Sequence, residues 1–125
     1  MKHPERVEDY LEHIVEAIVR VTTYLRDTHD FAGFQRDART QDAVVRNLEI
    51  IGEAANQIRA MSSEFVDGHP ELPWIEMRGI RNKIIHGYFD VDWSVVWETA
   101  NNDLPGLKRL VETLLRDRRE RREDA

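Results

Sequence analysis

Cysteine is absent from this 125-residue sequence, which excludes disulfides and thiolate metal sites. No apolar run approaches the roughly 18 to 20 residues that a membrane-spanning helix needs. The opening segment Met1-Lys2-His3-Pro4-Glu5-Arg6 lacks the apolar core of a secretory signal. The expectation is a cytoplasmic protein with no membrane association. An excess of positive charge is missing too. With 18 Lys and Arg against 24 Asp and Glu, the formal net charge is −6, so the chain as a whole does not attract nucleic acid. Any such contact has to come from a local basic patch, doubled where symmetry joins two copies. His3, His13, His29 and His69 show no ligand spacing such as His-x-x-x-His, and there is no glycine-rich phosphate loop or Gly-x-Ser nucleotidyltransferase motif. No metal and no cofactor are expected.

What is present is helical periodicity. The length suits one domain, burying roughly two-thirds of its unfolded surface. At ~100° per residue, Val7, Tyr10, Leu11, Ile14, Ile18, Val21 and Leu25 form one stripe, predicting a helix from about Glu5 to Asp27. Val15 and Val19 widen the stripe, which favours a dimer. A second helix is expected from Thr40 as N-cap, with Val44, Leu48, Ile51, Ala55 and Ile58 on its core face. Arg46, Glu49, Glu53 and Gln57 sit on another side, at spacings that also suit a plain solvated ladder. A third helix opens at about Pro73. The fourth opens at Asp90 or Asp92; Trp93, Val96, Trp97, Ala100, Leu104, Leu107, Val111 and Leu114 keep one phase across Pro105-Gly106, predicting a kinked continuation. Loops are expected around His29 to Arg39 and from Val66 to Pro73. No segment shows sustained strand alternation. The expected fold is all-α, an antiparallel four-helix bundle with a kinked last helix.

On the third helix, Met77, Ile80, Ile84 and Tyr88 fall on one side, facing the core. Arg78, Arg81, Asn82, Ile85 and His86 occupy another arc, with Asn82 and His86 one turn apart and Gly87 ending the helix in a left-handed cap. Two guanidiniums, an amide and an imidazole on one face suit phosphodiester cleavage without a metal. A ribose 2′-hydroxyl must lose a proton as it attacks phosphorus, and the leaving 5′-oxygen must gain one. Histidine serves either role near neutral pH, and arginine offers a planar fork of donors to the negative phosphorane. Asparagine can orient the imidazole or hold a phosphate oxygen. An arginine and a histidine on a helix face are also what a solvated ion-pair network shows, so residue types alone leave both readings open. Tyr88, in phase with Ile84 and Ile80, reads equally as a core residue with its hydroxyl at the rim.

The segment Trp74 to Asp90, WIEMRGIRNKIIHGYFD, resembles the signature of HepT-type HEPN proteins: Arg, often followed by Asn, then His five residues after the Arg and Tyr two further on. Arg81, Asn82, His86 and Tyr88 fit it without departure. The upstream segment from Arg46 to Ala55 is similar to that family's second helix, and the helix order is similar as well, including a tryptophan-bearing fourth helix with Leu104-Pro105. The resemblance spans nearly the whole chain, excluding the charged tail after about Arg116. It implies a ribonuclease toxin, acting on RNA such as tRNA or mRNA, paired with a minimal nucleotidyltransferase antitoxin. It implies a homodimer in which the Arg and His motifs of two protomers build one cleft. Carried over, Arg81 and His86 are catalytic, Asn82 supports them, and Tyr88 is where the partner attaches AMP. Arg78, Lys83 and Glu53 are then supporting residues, the cations for RNA and Glu53, with Glu49, for orienting arginines. The rival is a non-catalytic helical module that docks the nucleotidyltransferase. The tail, Arg116 to Asp124, is expected to be a frayed, solvated helix end.

Overall fold

A computed structural model describes residues 6–124, with side-chain surroundings for 6–121. The long amphipathic segments form helices where their apolar stripes predict. Helix α1, Val7–Tyr24, buries Val7, Leu11, Ile14, Ile18 and Val21. A single-turn helix α2, Phe31–Gln35, interrupts the first expected loop and buries Phe34 against the rings of Trp93 at 6.1 Å and Trp97 at 5.3 Å. Helix α3, Ala38–Met61, presents Val44, Leu48, Ile51, Ala55 and Ile58, all fully buried. Its cap corrects the sequence reading. Asp37, not Thr40, is the N-cap residue; its carboxylate accepts from the Thr40 backbone N–H at 3.1 Å and hydroxyl at 2.6 Å. A carboxylate three residues upstream of a donor pair outcompetes a lone threonine hydroxyl. Ser62 likewise caps the short helix α4, Ser63–Asp67.

The expected third helix is the main departure. It starts after Pro73 as expected, but it is two single turns, α5 (Trp74–Arg78) and α6 (Ile80–Ile84), separated by Gly79. The break at Gly79 is one residue wide, since its N–H still donates to the Ile75 carbonyl at 3.0 Å and its own carbonyl accepts from Lys83 at 3.0 Å. The end at Ile84 is complete. Ile85 is extended, and β1 (Ile85–Gly87) pairs antiparallel with β2 (Asp90–Val91). β-Branched and aromatic residues crowd this stretch, and the Asp92 N–H captures the Ile84 carbonyl at 2.8 Å, satisfying a terminal acceptor that another helical turn would have used. Gly87 therefore is not a left-handed cap: no glycine among the described residues has positive φ.

Helix α7, Trp93–Glu98, passes through a π-helical turn, Thr99–Asp103, into α8, Leu104–Asp124. Pro105 has no N–H for the carbonyl one turn back and crowds it, and the chain absorbs this by widening one turn just ahead of the proline. The apolar phase survives, as Val96, Ala100, Leu104, Leu107, Val111 and Leu114 are all buried. The tail is not a frayed end as far as Arg121. Arg118 forms an ion pair with the buried Glu8 at 3.3 Å and lies 4.8 Å over the Phe65 ring, and Arg119 pairs with Glu12. A helix with mates for its cations extends past its apolar stripe.

α1 and α3 pack along each other, α8 closes on α1, and α5 and α6 lie on α3, with α7 touching α2, α3 and α6. The fold is all-α; its only strands among the described residues are the small hairpin. No helix among those residues is long and apolar enough to cross a membrane.

Candidate active site

Ile80 and Ile84 are buried beneath α6, one turn apart, so Arg81, Asn82 and Lys83 between them face solvent. The hairpin then carries the chain away from the helix axis, and His86 on β1 is exposed. The sequence-predicted helix wheel is thus replaced by an edge, α6 followed by β1. Arg81, Asn82, Lys83 and His86 all lie on it, but Asn82 and His86 are not stacked one helical turn apart. Tyr88 is 91% exposed. Its expected core-facing phase assumed four more helical residues than the chain forms.

Arg78 and Arg81 reach toward α3. The Arg78 Nε donates to the Asn56 amide oxygen at 3.0 Å, which fixes one guanidinium. Arg81 lies 3.9 Å from the Glu49 carboxylate, with the two side chains 69% and 38% exposed; a pair so open to water is worth about 0–1 kcal/mol and gives way readily to a phosphate. Glu53, expected beside an arginine, instead accepts from Gln57 on its own helix at 3.0 Å. Both glutamates line a groove of about 470 Å³ that Arg46, Arg78 and Arg81 share with Tyr10 and His13 of α1. Three guanidiniums against two carboxylates leave the groove locally positive on an acidic protein.

Asp92 ties the hairpin to α7. Its carboxylate accepts from the Ser94 hydroxyl at 2.9 Å and the Val95 N–H at 3.2 Å. These bonds, the hydroxyl first, hold the acid below its ordinary range, and the charge of the neighbouring His86 adds to them. Sequence reasoning offered Asp92 only as a helix start; its nearness to His86 arises from the hairpin and had no periodic signal. Asn56 and His13 were missed for the same reason. Asn56 meets Arg78 across helices, and His13 faces the same groove from α1. Among the described residues no three His, Asp or Glu side chains are grouped to hold a metal ion.

The family described as "Ribonuclease HepT-like" matches residues 7–114. A Thermococcus cleftensis protein named "Probable ribonuclease HepT" is 47% identical over 107 residues, spanning 86% of this chain and 94% of that protein. A Caldanaerobacter subterraneus protein is 37% identical over 106 residues, 85% of this chain and 91% of its own. A Methanocaldococcus jannaschii protein is 32% identical over 111 residues, 89% and 88% of the two chains. The names of these last two assign them provisionally as RNases. No solved structure matches the chain.

Proposed function

The chain belongs to the HepT-like ribonuclease family, and from that membership we propose that it is a metal-independent endoribonuclease toxin held in check by AMP transfer to Tyr88. The observation that carries the proposal is the α6–β1 edge. Arg81, Asn82, Lys83 and His86 stand exposed on consecutive elements, and the ion pair of Arg81 to Glu49 is long and wet.

In the proposed reaction the His86 imidazole takes the proton of a ribose 2′-hydroxyl as that oxygen bonds to phosphorus. The bond from phosphorus to the 5′-oxygen breaks, and the 5′-oxygen takes up a proton. The products are a 2′,3′-cyclic phosphate and a free 5′-hydroxyl. One imidazole cannot be base and acid in the same instant, which is why a second copy is part of the reading: a homodimer whose two edges meet supplies the other His86. Arg81 holds the phosphorane oxygens, Arg78 and Lys83 draw in RNA, and Asn82 positions the imidazole or the phosphate. Glu49 orients Arg81, with Glu53 one turn along the same helix. The phenol of Tyr88, exposed two residues past His86, is open to a nucleotidyltransferase antitoxin. An AMP group there adds bulk and negative charge at the cleft and repels RNA phosphates.

The test expresses the full chain beside His86→Ala and follows growth arrest and RNA cleavage in EDTA. Loss of both in the folded variant, with cyclic-phosphate ends in the wild-type digest, is the expected result. Equal behaviour of the two proteins would leave the docking-module alternative standing. Intact mass after co-expression with a nucleotidyltransferase encoded beside the chain, where there is one, is expected to rise by AMP in the wild type and not in Tyr88→Phe.

A further inference from the structure

The tip of the hairpin holds two aromatic rings in a way that no other part of the described residues does. Phe34, Phe65 and Trp74 are buried, and Phe31, Trp93 and Trp97 pack against the core. Tyr88 and Phe89, by contrast, are 91% and 90% exposed. Their centroids are 4.7 Å apart with planes inclined by 42°, so each ring shields part of the other and both leave faces open to solvent. The tip is short and held from both sides: Gly87 pairs with Asp90, and the Asp92 N–H closes the base of the hairpin on Ile84.

We propose that the Tyr88–Phe89 tip is a stacking platform for an unpaired nucleobase of the RNA strand whose phosphate lies at Arg81 and His86. This rests on the ribonuclease reading and deepens it, since it names the substrate as single-stranded RNA. Attack by a 2′-oxygen needs that oxygen in line with the departing 5′-oxygen, a geometry the regular duplex resists and a splayed nucleotide allows. A splayed base loses its stacking neighbours, and exposed aromatic side chains are what proteins supply in their place. The charges around the tip set the strand's course. Lys83 and Arg81 stand exposed on α6 before the tip, while Asp90 stands exposed after it, so phosphates pass on the α6 side and the base reaches over the rings. A second copy of the chain fits the tip less well. Two aromatic side chains offer roughly 300–500 Å², well short of the ~800 Å² per partner of a stable protein interface.

The test measures binding to the full chain of a fluorescent single-stranded oligonucleotide carrying 2′-O-methyl groups, which cannot be cleaved, and of the same sequence annealed into a duplex. The variants are Phe89→Ala, Phe89→Leu and Phe89→Trp. At 90% exposure none of these changes removes core packing. Loss of one stacked base corresponds to about tenfold weaker binding, expected for the Ala and Leu variants on the single strand, with Trp restoring wild-type affinity and duplex binding unmoved. Full affinity in the Leu variant would overturn the platform, because it would show apolar contact without stacking. So would a change of sedimentation from dimer to monomer in the Ala and Leu variants, which would assign the tip to a second copy. A wild type that cleaves RNA while all three variants bind alike sinks the platform alone. A wild type that neither binds nor cleaves RNA sinks the ribonuclease reading and the platform with it.

Discussion

Gly52 sits in the middle of α3, fully in helix, where glycine is ordinarily a loss of about 1 kcal/mol against alanine. Replacing it with alanine should therefore stabilise the protein unless something occupies the space. Something does. A Cβ at position 52 would stand 3.0 Å from the Met77 carbonyl oxygen and 4.0 Å from the Ile80 Cβ. The oxygen belongs to backbone, and the Met77 side chain is 1% exposed, so α5 cannot yield by a simple rotation. Overpacking of this kind costs about 1–3 kcal/mol. Set against the helix gain, the net is a destabilisation of about 0–2 kcal/mol, lowering Tm by roughly 4 °C for the middle value. The larger consequence is positional. To relieve the contact, α5 must move off α3 by a few tenths of an ångström, and Arg78 and α6 with Arg81 move with it. Since a 1 Å misplacement can cost about a hundredfold in rate, cleavage should fall roughly four- to tenfold at a temperature where the variant is fully folded. Gly106→Ala is the matched control, because its added Cβ meets only the Arg109 guanidinium at 3.7 Å; it should gain up to about 1 kcal/mol and keep full activity. Urea denaturation at fixed protein concentration, with cleavage assayed in parallel, reads both effects. If Gly52→Ala is stabilised as much as Gly106→Ala and cleaves at the wild-type rate, α5 is not held by close backbone approach and the argument fails.

Acid stability offers a second test. Asp92 has its carboxyl lowered from an ordinary value of 3.8 by the Ser94 hydroxyl, the Val95 N–H and, to a lesser extent, His86. Its contribution is thus complete above the unfolded value and disappears as pH falls through the lower folded one. Thermal midpoints of Asp92→Asn should lie below wild type near neutrality and converge with it as pH drops below 3.8; a gap that stays constant or widens in acid refutes the assignment. The two groove glutamates should also separate. Glu49 approaches Arg81 at 3.9 Å whereas Glu53 bonds Gln57, so Glu49→Gln is expected to lower kcat by about fivefold at most, the size of an exposed pair, and Glu53→Gln to leave it within about twofold. Equal losses in steady-state cleavage would mean that neither glutamate orients that arginine.

The long helices were readable because their evidence is repetitive. Every core position assigned to α3 is fully buried, and the stripe of α7 and α8 holds its phase through the π-helical turn. The segment from Trp74 to Asp90 was not readable in the same way, because a wheel takes for granted that the backbone goes on turning. Ile80 and Ile84 obey the wheel; Tyr88 does not, since a single extended residue at Ile85 resets the direction of everything after it. Arg81, Asn82 and His86 are exposed as the wheel placed them, but on a helix followed by a strand, not on one helical face. The candidate side chains were proposed by type and by family resemblance, while Asn56 reaches Arg78 and Asp92 neighbours His86 only through the tertiary fold. The tail is solvated as expected, most of residues 116–121 being exposed, but it is not frayed there, because Arg118 and Arg119 find mates remote in sequence, Glu8 and Glu12 on α1.

Those remote pairs bear on how a protein of charge −6 can present a surface to RNA. What a phosphate meets is the local field within about 8–10 Å, beyond which salt screens it. Two cations of α8 are spent on α1, Arg118 on the buried Glu8 and Arg119 on Glu12, and Lys108 on Glu112 of its own helix. Those around α6 are not spent in that way. Arg78 leans on a neutral amide, Arg81 on a wet and distant carboxylate, and Lys83 is exposed beside them. A pair of arginines therefore has opposite consequences on the two helices: close pairing of Arg118 and Arg119 ties α8 to α1, and loose pairing of Arg78 and Arg81 leaves charge to be claimed by a ligand. In a homodimer that brought two such edges together, the positive field would add over a distance shorter than the screening length, while the acidic remainder of each protomer would stay on the outside, where it limits nonspecific attachment to nucleic acid. A low overall pI is then compatible with an RNA cleft so long as the arginines nearest the phosphate are the ones with the weakest partners.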